Sequence, residues 1–305
     1  MKNILVIGGT YFTGRVFAMV ASTDPETQLT FINRGRYSMK HLPNVIEYKC
    51  DRHDAAALAA LPEADYDAVV DFCAYEESDA RTLLSNLKGK IRQYILLSTA
   101  DVYDWNIRTA RDESTALQSE KAPGPAGDYM WNKMLLEKDA TAFCNEKNIP
   151  ITIFRPSFIY GPFNYAPREA FYIQLICTRQ AIPQPIDSDS KFSFVYVKDV
   201  ANAIIAAIGN EKAYGEAFNL AGPEVMTYNS FIYDLAAVSD VIFETCNVTV
   251  QDVIDQNIPL PFPLRAAESE VFVGTKAQEV LGIKYTPFRE GLLKAYNSFK
   301  SVFEK

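Results

Sequence analysis

Histidine is almost missing from this chain, with His41 and His53 the only two among 305 residues. Both fall in or beside loops, so metal ligation by clustered imidazoles or a histidine general base is disfavoured. The five cysteines (Cys50, Cys73, Cys144, Cys177 and Cys246) contain no C-x-x-C pair. Neither a disulfide framework nor a thiolate zinc site is indicated, and Cys73 and Cys177, inside apolar segments, read as core. No apolar run approaches the ~20 residues that a bilayer span needs. One lysine and four apolar residues stand before Gly8, too few for a secretory signal. Internal repeats and low-complexity tracts are absent as well. Acidic residues outnumber basic ones to a net charge of −8, which disfavours a general polyanion-binding surface. These absences together lead to the expectation of a reduced, cytoplasmic protein that uses no metal and no membrane.

What is present is the composition of a globular chain, 48% apolar and 22% charged. Its length allows one large α/β domain or such a domain with a smaller lobe. Short strands rich in Val, Ile, Leu, Tyr and Phe are expected at 3–7, 28–32, 45–48, 68–72, 93–97 and 151–154. Helices are expected between them, at 14–22, 55–61, 76–87 and 129–146. Alternation of this kind predicts right-handed crossovers and a doubly wound parallel sheet with helices on both faces. The second half is punctuated by Pro156, Pro162, Pro167, Pro183 and Pro185, then by Pro259, Pro261 and Pro263. A strand at 192–197 and helices at 198–209, 228–238 and 286–299 are read there. The expected division is a nucleotide-binding domain over 1–157 that also receives about 192–224. A smaller substrate lobe is then built from 158–191 and 225–305. The cleft between them falls at the carboxyl ends of the strands, where open α/β sheets bind ligands.

Residues 4–14, Ile-Leu-Val-Ile-Gly-Gly-Thr-Tyr-Phe-Thr-Gly, run an apolar strand into a glycine-rich turn and a helix. Gly8 and Gly9 allow a sharp turn and let backbone amides approach a pyrophosphate. The positive end of the following helix points at that anion. Tyr11 stands where a middle glycine is often found. Farther on, Tyr129 and Lys133 are four residues apart, one turn along a helical face. A phenol of pKa ~10 is a poor base at neutral pH, and a nearby ammonium would lower it. The strand ending Leu96-Leu97-Ser98-Thr99 places hydroxyls at the same carboxyl edge, where Thr99 is able to donate a hydrogen bond to a substrate oxygen.

With these motifs the chain resembles the extended short-chain dehydrogenase/reductase family over nearly its whole length. The turn Gly8-Gly9-Thr10-Tyr11-Phe12-Thr13-Gly14 is similar to the family's nucleotide loop in a Gly-Gly-Thr variant. Ser98-Thr99-Ala100-Asp101-Val102-Tyr103 resembles its Ser-Ser/Thr-x-x-Val-Tyr segment, and Tyr129 and Lys133 match its Tyr-x-x-x-Lys. Arg155-Pro156 with Tyr160-Gly161-Pro162, the junction Val195 to Ala201, Gly215 to Leu220, and Lys276 to Gly282 resemble further landmarks. The resemblance implies a Rossmann-like fold, a nicotinamide cofactor and a nucleotide-activated sugar as substrate. It implies that Tyr129 exchanges a proton with a sugar hydroxyl. Lys133 would hold the nicotinamide ribose and depress the phenol pKa, and Thr99 would bind the reacting oxygen. It places Asp51 at the adenine, Cys73, Ala74 and Tyr75 along the adenosine pocket, and Arg52, Ser98, Pro156 and Phe158 near the cofactor. Asp101, Tyr160, Lys191 and Arg265 are carried to the substrate.

Cofactor choice is partly legible. The second strand ends in Asn33-Arg34, where an acidic residue would bind both ribose hydroxyls of NAD. Arg34 and Arg36 suit a 2′-phosphate, so NADP is favoured over NAD. Other positions depart from the family. The Asp-Glu pair of its dehydratases is Ala100-Asp101 here, Lys191-Phe192 stands where an epimerase arginine is usual, and Tyr196 replaces a histidine. Two alternatives stand beside this reading. The missing arginine suits a reductase of a carbonyl that is not a sugar. The Gly-Gly-Thr loop, Asn33-Arg34-Gly35 and the Pro-rich stretch before Arg265 resemble a divergent branch similar to the chloroplast stem-loop-binding proteins, an RNA-binding scaffold. The intact Tyr129/Lys133 pair and the acidic balance weigh against RNA. A homodimer through helices 76–87 and 129–146 is expected by resemblance, with Met130, Met134, Leu135 and Phe143 as candidate contacts.

Overall fold

The computed structural model describes residues 1–304. Strand β1 (Lys2–Ile7) enters helix α1 (Phe12–Ala21), followed by β2 (Thr27–Asn33), β3 (Val45–Lys49), α2 (Ala55–Ala59), β4 (Ala68–Asp71), α3 (Asp79–Asn86) and β5 (Tyr94–Leu97). After a long excursion come α4 (Gly124–Lys147), β6 (Ile151–Pro156), β7 (Phe158–Tyr160), α5 (Glu169–Cys177), β8 (Ile182–Pro185) and β9 (Phe192–Tyr196). Next are α6 (Val197–Ala207), β10 (Ala217–Leu220), β11 (Val225–Met226), α7 (Tyr228–Val238), β12 (Thr245–Val248), α8 (Val250–Asp255), α9 (Thr275–Leu281) and α10 (Phe288–Phe303).

Seven strands form the central sheet in the order β10-β6-β5-β4-β1-β2-β3, and each pairing in it is parallel. The expected doubly wound Rossmann-like architecture is therefore met. Burial on both faces explains why the inner strands β4 and β5 are apolar at almost every position, whereas the edge strand β3 is half-exposed. Ile4 and Val6 join Val70, Ile95 and Phe154 in one apolar cluster, while Leu5 and Ile7 join Val69, Leu96 and Ile153 in another. Each face of the sheet is thus covered. Strand order reverses beside β1, since β2 lies on one side of it and β4 on the other.

The Pro/Gly-rich segment before Tyr129, read as loop, is the opening turn of α4, which starts at Gly124. Proline is tolerated in a first turn because its missing N–H has no acceptor to serve there. Tyr129 consequently lies in the second turn. Strand β10 was not anticipated as a strand: it is four residues long and supplies an edge of the sheet beside β6. Helix α6 packs along α1. Two small sheets, β11-β9-β7 and β12-β8, complete the strands. The second proline cluster carries Phe262 into an aromatic core, where its ring stacks on Phe192 with centroids 4.8 Å apart.

Candidate active site

A cleft of about 780 Å³ opens at the carboxyl edge of the central sheet. Its floor is the turn after β1. Gly8 has φ +81°, and a Cβ there would lie 2.6 Å from Cys73 Sγ. A Cβ on Gly9 would run into Val6, and one on Gly14 into the backbone of Gly9, so the turn and α1 touch through hydrogens alone. Tyr11 caps α1 without any side-chain hydrogen bond to the first-turn amides. Those donors stay free for an anion, as a pyrophosphate requires. Gly8, Gly9, Thr10, Tyr11, Phe12, Thr13 and Gly14 all line the cleft.

At the far end β2, β3 and β4 deliver Asn33, Arg34, Asp51, Arg52, Cys73 and Tyr75 to the wall. Asn33 Oδ1 accepts from the Gly35 N–H at 2.6 Å and shapes the turn that presents Arg34. Beneath them Asp71, fully buried, is enclosed by donors. Arg52 Nη1 reaches both its oxygens at 2.7 and 2.8 Å, Tyr94 Oη donates at 2.9 Å and the Cys73 N–H at 3.0 Å. Burial alone would lower the Arg52 pKa, but Asp71 beside it prevails and the guanidinium stays charged. Its Nη2 is buried without a hydrogen-bond partner, as is Ser98 Oγ on the opposite wall, and its Nε has only the Asp79 carboxylate at 3.9 Å. Buried donors of this kind are normally satisfied, and a nucleotide in the cleft would satisfy them.

The other end of the cleft gathers residues from three elements. Thr99, at the end of β5, donates from Oγ1 to Asp101 Oδ2 at 2.8 Å. Tyr129 and Lys133 come from α4 and share the cleft with Thr99, Asp101, Ser98 and Pro156. One turn beyond Lys133, Glu137 takes Arg155 of β6 in a buried ion pair of 2.6 Å, fixing α4 against the sheet. Lys133, 3% exposed, donates to the Ala74 carbonyl at 2.9 Å and the Leu97 carbonyl at 3.0 Å. Burial draws its pKa down to about 8, with Asp71 and Glu137 opposing.

The Tyr129 phenol differs from the expectation of a depressed pKa. Packing against the cleft wall pushes its pKa up even though the residue is 42% exposed, the Asp101 carboxylate adds to the rise, and a hydrogen bond with Thr99 works against it. The Lys133 ammonium is directed at two carbonyls, and the leading influences on the phenol are the wall and a carboxylate.

Five expected residues are placed off the cleft wall. Ala74 contributes only through its carbonyl. Phe158 lies under the Arg168 guanidinium, 4.6 Å from ring centroid to carbon, within the aromatic core. Tyr160 is 1% exposed and donates to the Phe288 carbonyl at 3.1 Å. Lys191 and Arg265 are exposed outside the cleft. Met134 and Phe143, named as dimer contacts, are buried. Conversely Tyr37, Ser157, Ile159, Asn164, Tyr165, Ala166 and Arg168 line the cleft and were not singled out. Most follow directly on the Tyr160-Gly161-Pro162 motif, the one sequence signal that leads to them.

A parallel sheet with a phosphate turn and a lined cleft at its switch point defines a nucleotide-binding α/β protein. The model of the NAD dependent epimerase/dehydratase family matches residues 4–221, and the chain belongs to that family. Among curated relatives, the chloroplast stem-loop binding protein of 41 kDa b from Arabidopsis thaliana is 29% identical over 75% of this chain and 61% of its own length. An uncharacterized UDP-glucose epimerase of Bacillus subtilis is 27% identical over 59% of this chain and 57% of its own. The matches thus span about three fifths of each of these relatives. The UDP-glucose 4-epimerase of Thermotoga maritima, solved with UDP-glucose, superposes with a TM-score of 0.77 at 18% identity, covering 98% of this chain and 99% of that one. The dTDP-glucose 4,6-dehydratase of Bacillus anthracis, solved with NAD, gives 0.78 at 18% identity over 99% and 97%. At such identities the likeness is one of fold. Among the described residues no helix is long and apolar enough to cross a membrane.

Proposed function

We propose that the protein is an NAD(P)-dependent epimerase or reductase of a nucleotide-activated sugar. The observation that carries this reading is the meeting of Thr99, Tyr129 and Lys133 with the glycine turn in one cleft. A nicotinamide dinucleotide bound there supplies the hydride acceptor and donor. Tyr129 then moves the proton of the reacting hydroxyl, Thr99 donates a hydrogen bond to that oxygen, and Asp101 orients Thr99. Lys133, charged below about pH 8, is placed to hold the nicotinamide ribose and to offset the rise in the phenol pKa when it is drawn from its carbonyl partners. Arg34 and Arg36, which bear on the same wall as Asn33, support a preference for NADP. Ser98 Oγ and the free edge of Arg52 are the further donors such a ligand would engage.

One observation favours a second reading. Lys191 and Arg265, carried to the substrate by resemblance, both stand outside the cleft, which suits a reductase of a non-sugar carbonyl. Turnover without net change in cofactor oxidation state separates the epimerase from either reductase. Salt-sensitive binding of structured RNA without turnover would instead point to a scaffold role. The direct test of the main reading is Tyr129→Phe. It should leave dinucleotide affinity nearly unchanged and lower kcat by roughly 10²–10⁴-fold; retained turnover would refute the acid/base assignment.

A homodimer through the outer faces of α3 and α4 fits this reading, with the half-buried Met130 and Leu135 as its apolar contacts.

A further inference from the structure

Three exposed tyrosines stand in a column at the cleft mouth. Tyr11 comes from the glycine turn, Tyr37 from the segment after β2, and Tyr165 from the segment between β7 and α5. Tyr11 stacks on Tyr37 with centroids 5.4 Å apart and planes 10° apart, and on Tyr165 at 5.1 Å and 28°. Tyr165 also meets Phe12 edge-on at 6.0 Å. The three tyrosines line the cleft, yet they are 48%, 36% and 63% exposed, so they lie at its rim and cross it rather than forming its floor.

The segment that brings Tyr165 into the column is held at its base. Buried Glu169 accepts from the Gly161 N–H at 2.8 Å and from Asn164 Nδ2 at 2.9 Å. Farther along, Arg15 of α1 lies over the Phe163 ring at 5.0 Å. The segment that carries Tyr165 is thereby fixed at its base and against α1. Aromatic rings left in water gain by stacking, and this column spends that gain on bridging the phosphate turn to the segment following β7.

We propose that Tyr11, Tyr37 and Tyr165 form a strap that closes over a bound dinucleotide and keeps it resident through successive turnovers. This rests on the cofactor reading above and deepens it. A retained dinucleotide suits a redox-neutral cycle, in which it is reduced and reoxidised in place. A net reductase must release it after each turnover, and the strap would then limit the rate. Neither Tyr37 nor Tyr165 carries any part of the proton transfer.

The test is a release measurement on the full chain. Protein loaded with NADPH is mixed with excess NADP, and the loss of bound nicotinamide fluorescence is followed. Tyr165→Ala should release about tenfold faster, the effect expected from losing its contacts with Tyr11 and Phe12. Tyr37→Ala should also release faster, Tyr165→Phe should match the wild type because the ring suffices, and Tyr233→Ala, on an exposed position of α7, should change nothing. All of the substituted positions are exposed, so folding is retained. Equal release rates in wild type, Tyr165→Ala and Tyr37→Ala would overturn the strap while leaving cofactor use standing. Failure of the wild type to take up either NADPH or NADH would overturn both.

Discussion

Lys133 is a cation in a place that disfavours cations, and that tension gives its function a pH limit. Burial sets its pKa at about 8, against 10.5 for an ordinary lysine. The ammonium therefore costs stability at all pH values below about 8, and that cost is relieved as pH rises toward 10.5, because the unfolded chain keeps its proton longer. Catalysis should run the other way. If the charge holds the ribose and tunes Tyr129, kcat falls as pH rises through about 8, and a flat profile from 7 to 9.5 would contradict the role. Arg34 allows an equally sharp statement. Arg34→Ala should weaken NADP by roughly 10–100-fold, the value of a charge-assisted hydrogen bond, and NAD by no more than about twofold. Titration of both dinucleotides against the variant decides it. That Thr99, Tyr129 and Lys133 share one cleft was legible in the sequence because their spacing and their strand and helix context carry the signal. The state of the Tyr129 phenol was not, because the wall around it and the nearness of Asp101 exist only in the fold.

Among elements, those carrying an apolar run or a helical period were readable, and several strands without one were not. Strands β1 to β6 are apolar runs bounded by turn residues, and α7 falls where its pattern puts it. Strands β8 and β12 are as long as β4 and β5, but Pro183 and Pro185 interrupt the first and Thr245 and Asn247 dilute the second, while β7 and β11 have only three and two residues. The start of α4 was misjudged because proline and glycine serve a first helical turn as well as a loop. Tyr160 shows the limit of a motif: its position is readable, but the aromatic partners that draw it inward come from β9 and α10. The segment 161–168 owes its shape to Glu169, whose carboxyl group is raised to about 7 by burial, against 4.5 when free. The native state thus holds a proton that the unfolded chain releases between those values, and stability from this group declines as pH climbs from about 4.5 to 7. Glu169→Gln removes the titration. Relative to wild type, the variant should gain on the order of 2 kcal/mol between pH 5 and pH 8, read from denaturant melts at both. No change in that difference would show that the carboxylate is not the anchor described.

For the molecule as a whole, the cleft is where the phosphate turn, the ends of β4 and β5, α4 and the segment after β7 all meet. A ligand that touches all of them should stabilise the fold as a unit. NADP at ~100 times its Kd adds about 2.7 kcal/mol, which for a chain of this size is a rise in Tm of about 5 °C by calorimetry. Unchanged melting at that concentration would mean that the cleft does not take the dinucleotide. The course of the chain adds one more consequence. It leaves the central sheet after β6, returns to it for β10 with α6 laid on α1, and departs again. Sequence neighbours and spatial bodies are therefore woven through each other. A chimera that exchanges the carboxy-terminal region for a homologue's cannot be made with a single junction near Pro156. It must splice on both sides of the returning stretch, or the graft will set a foreign terminal strand against the native border of the sheet.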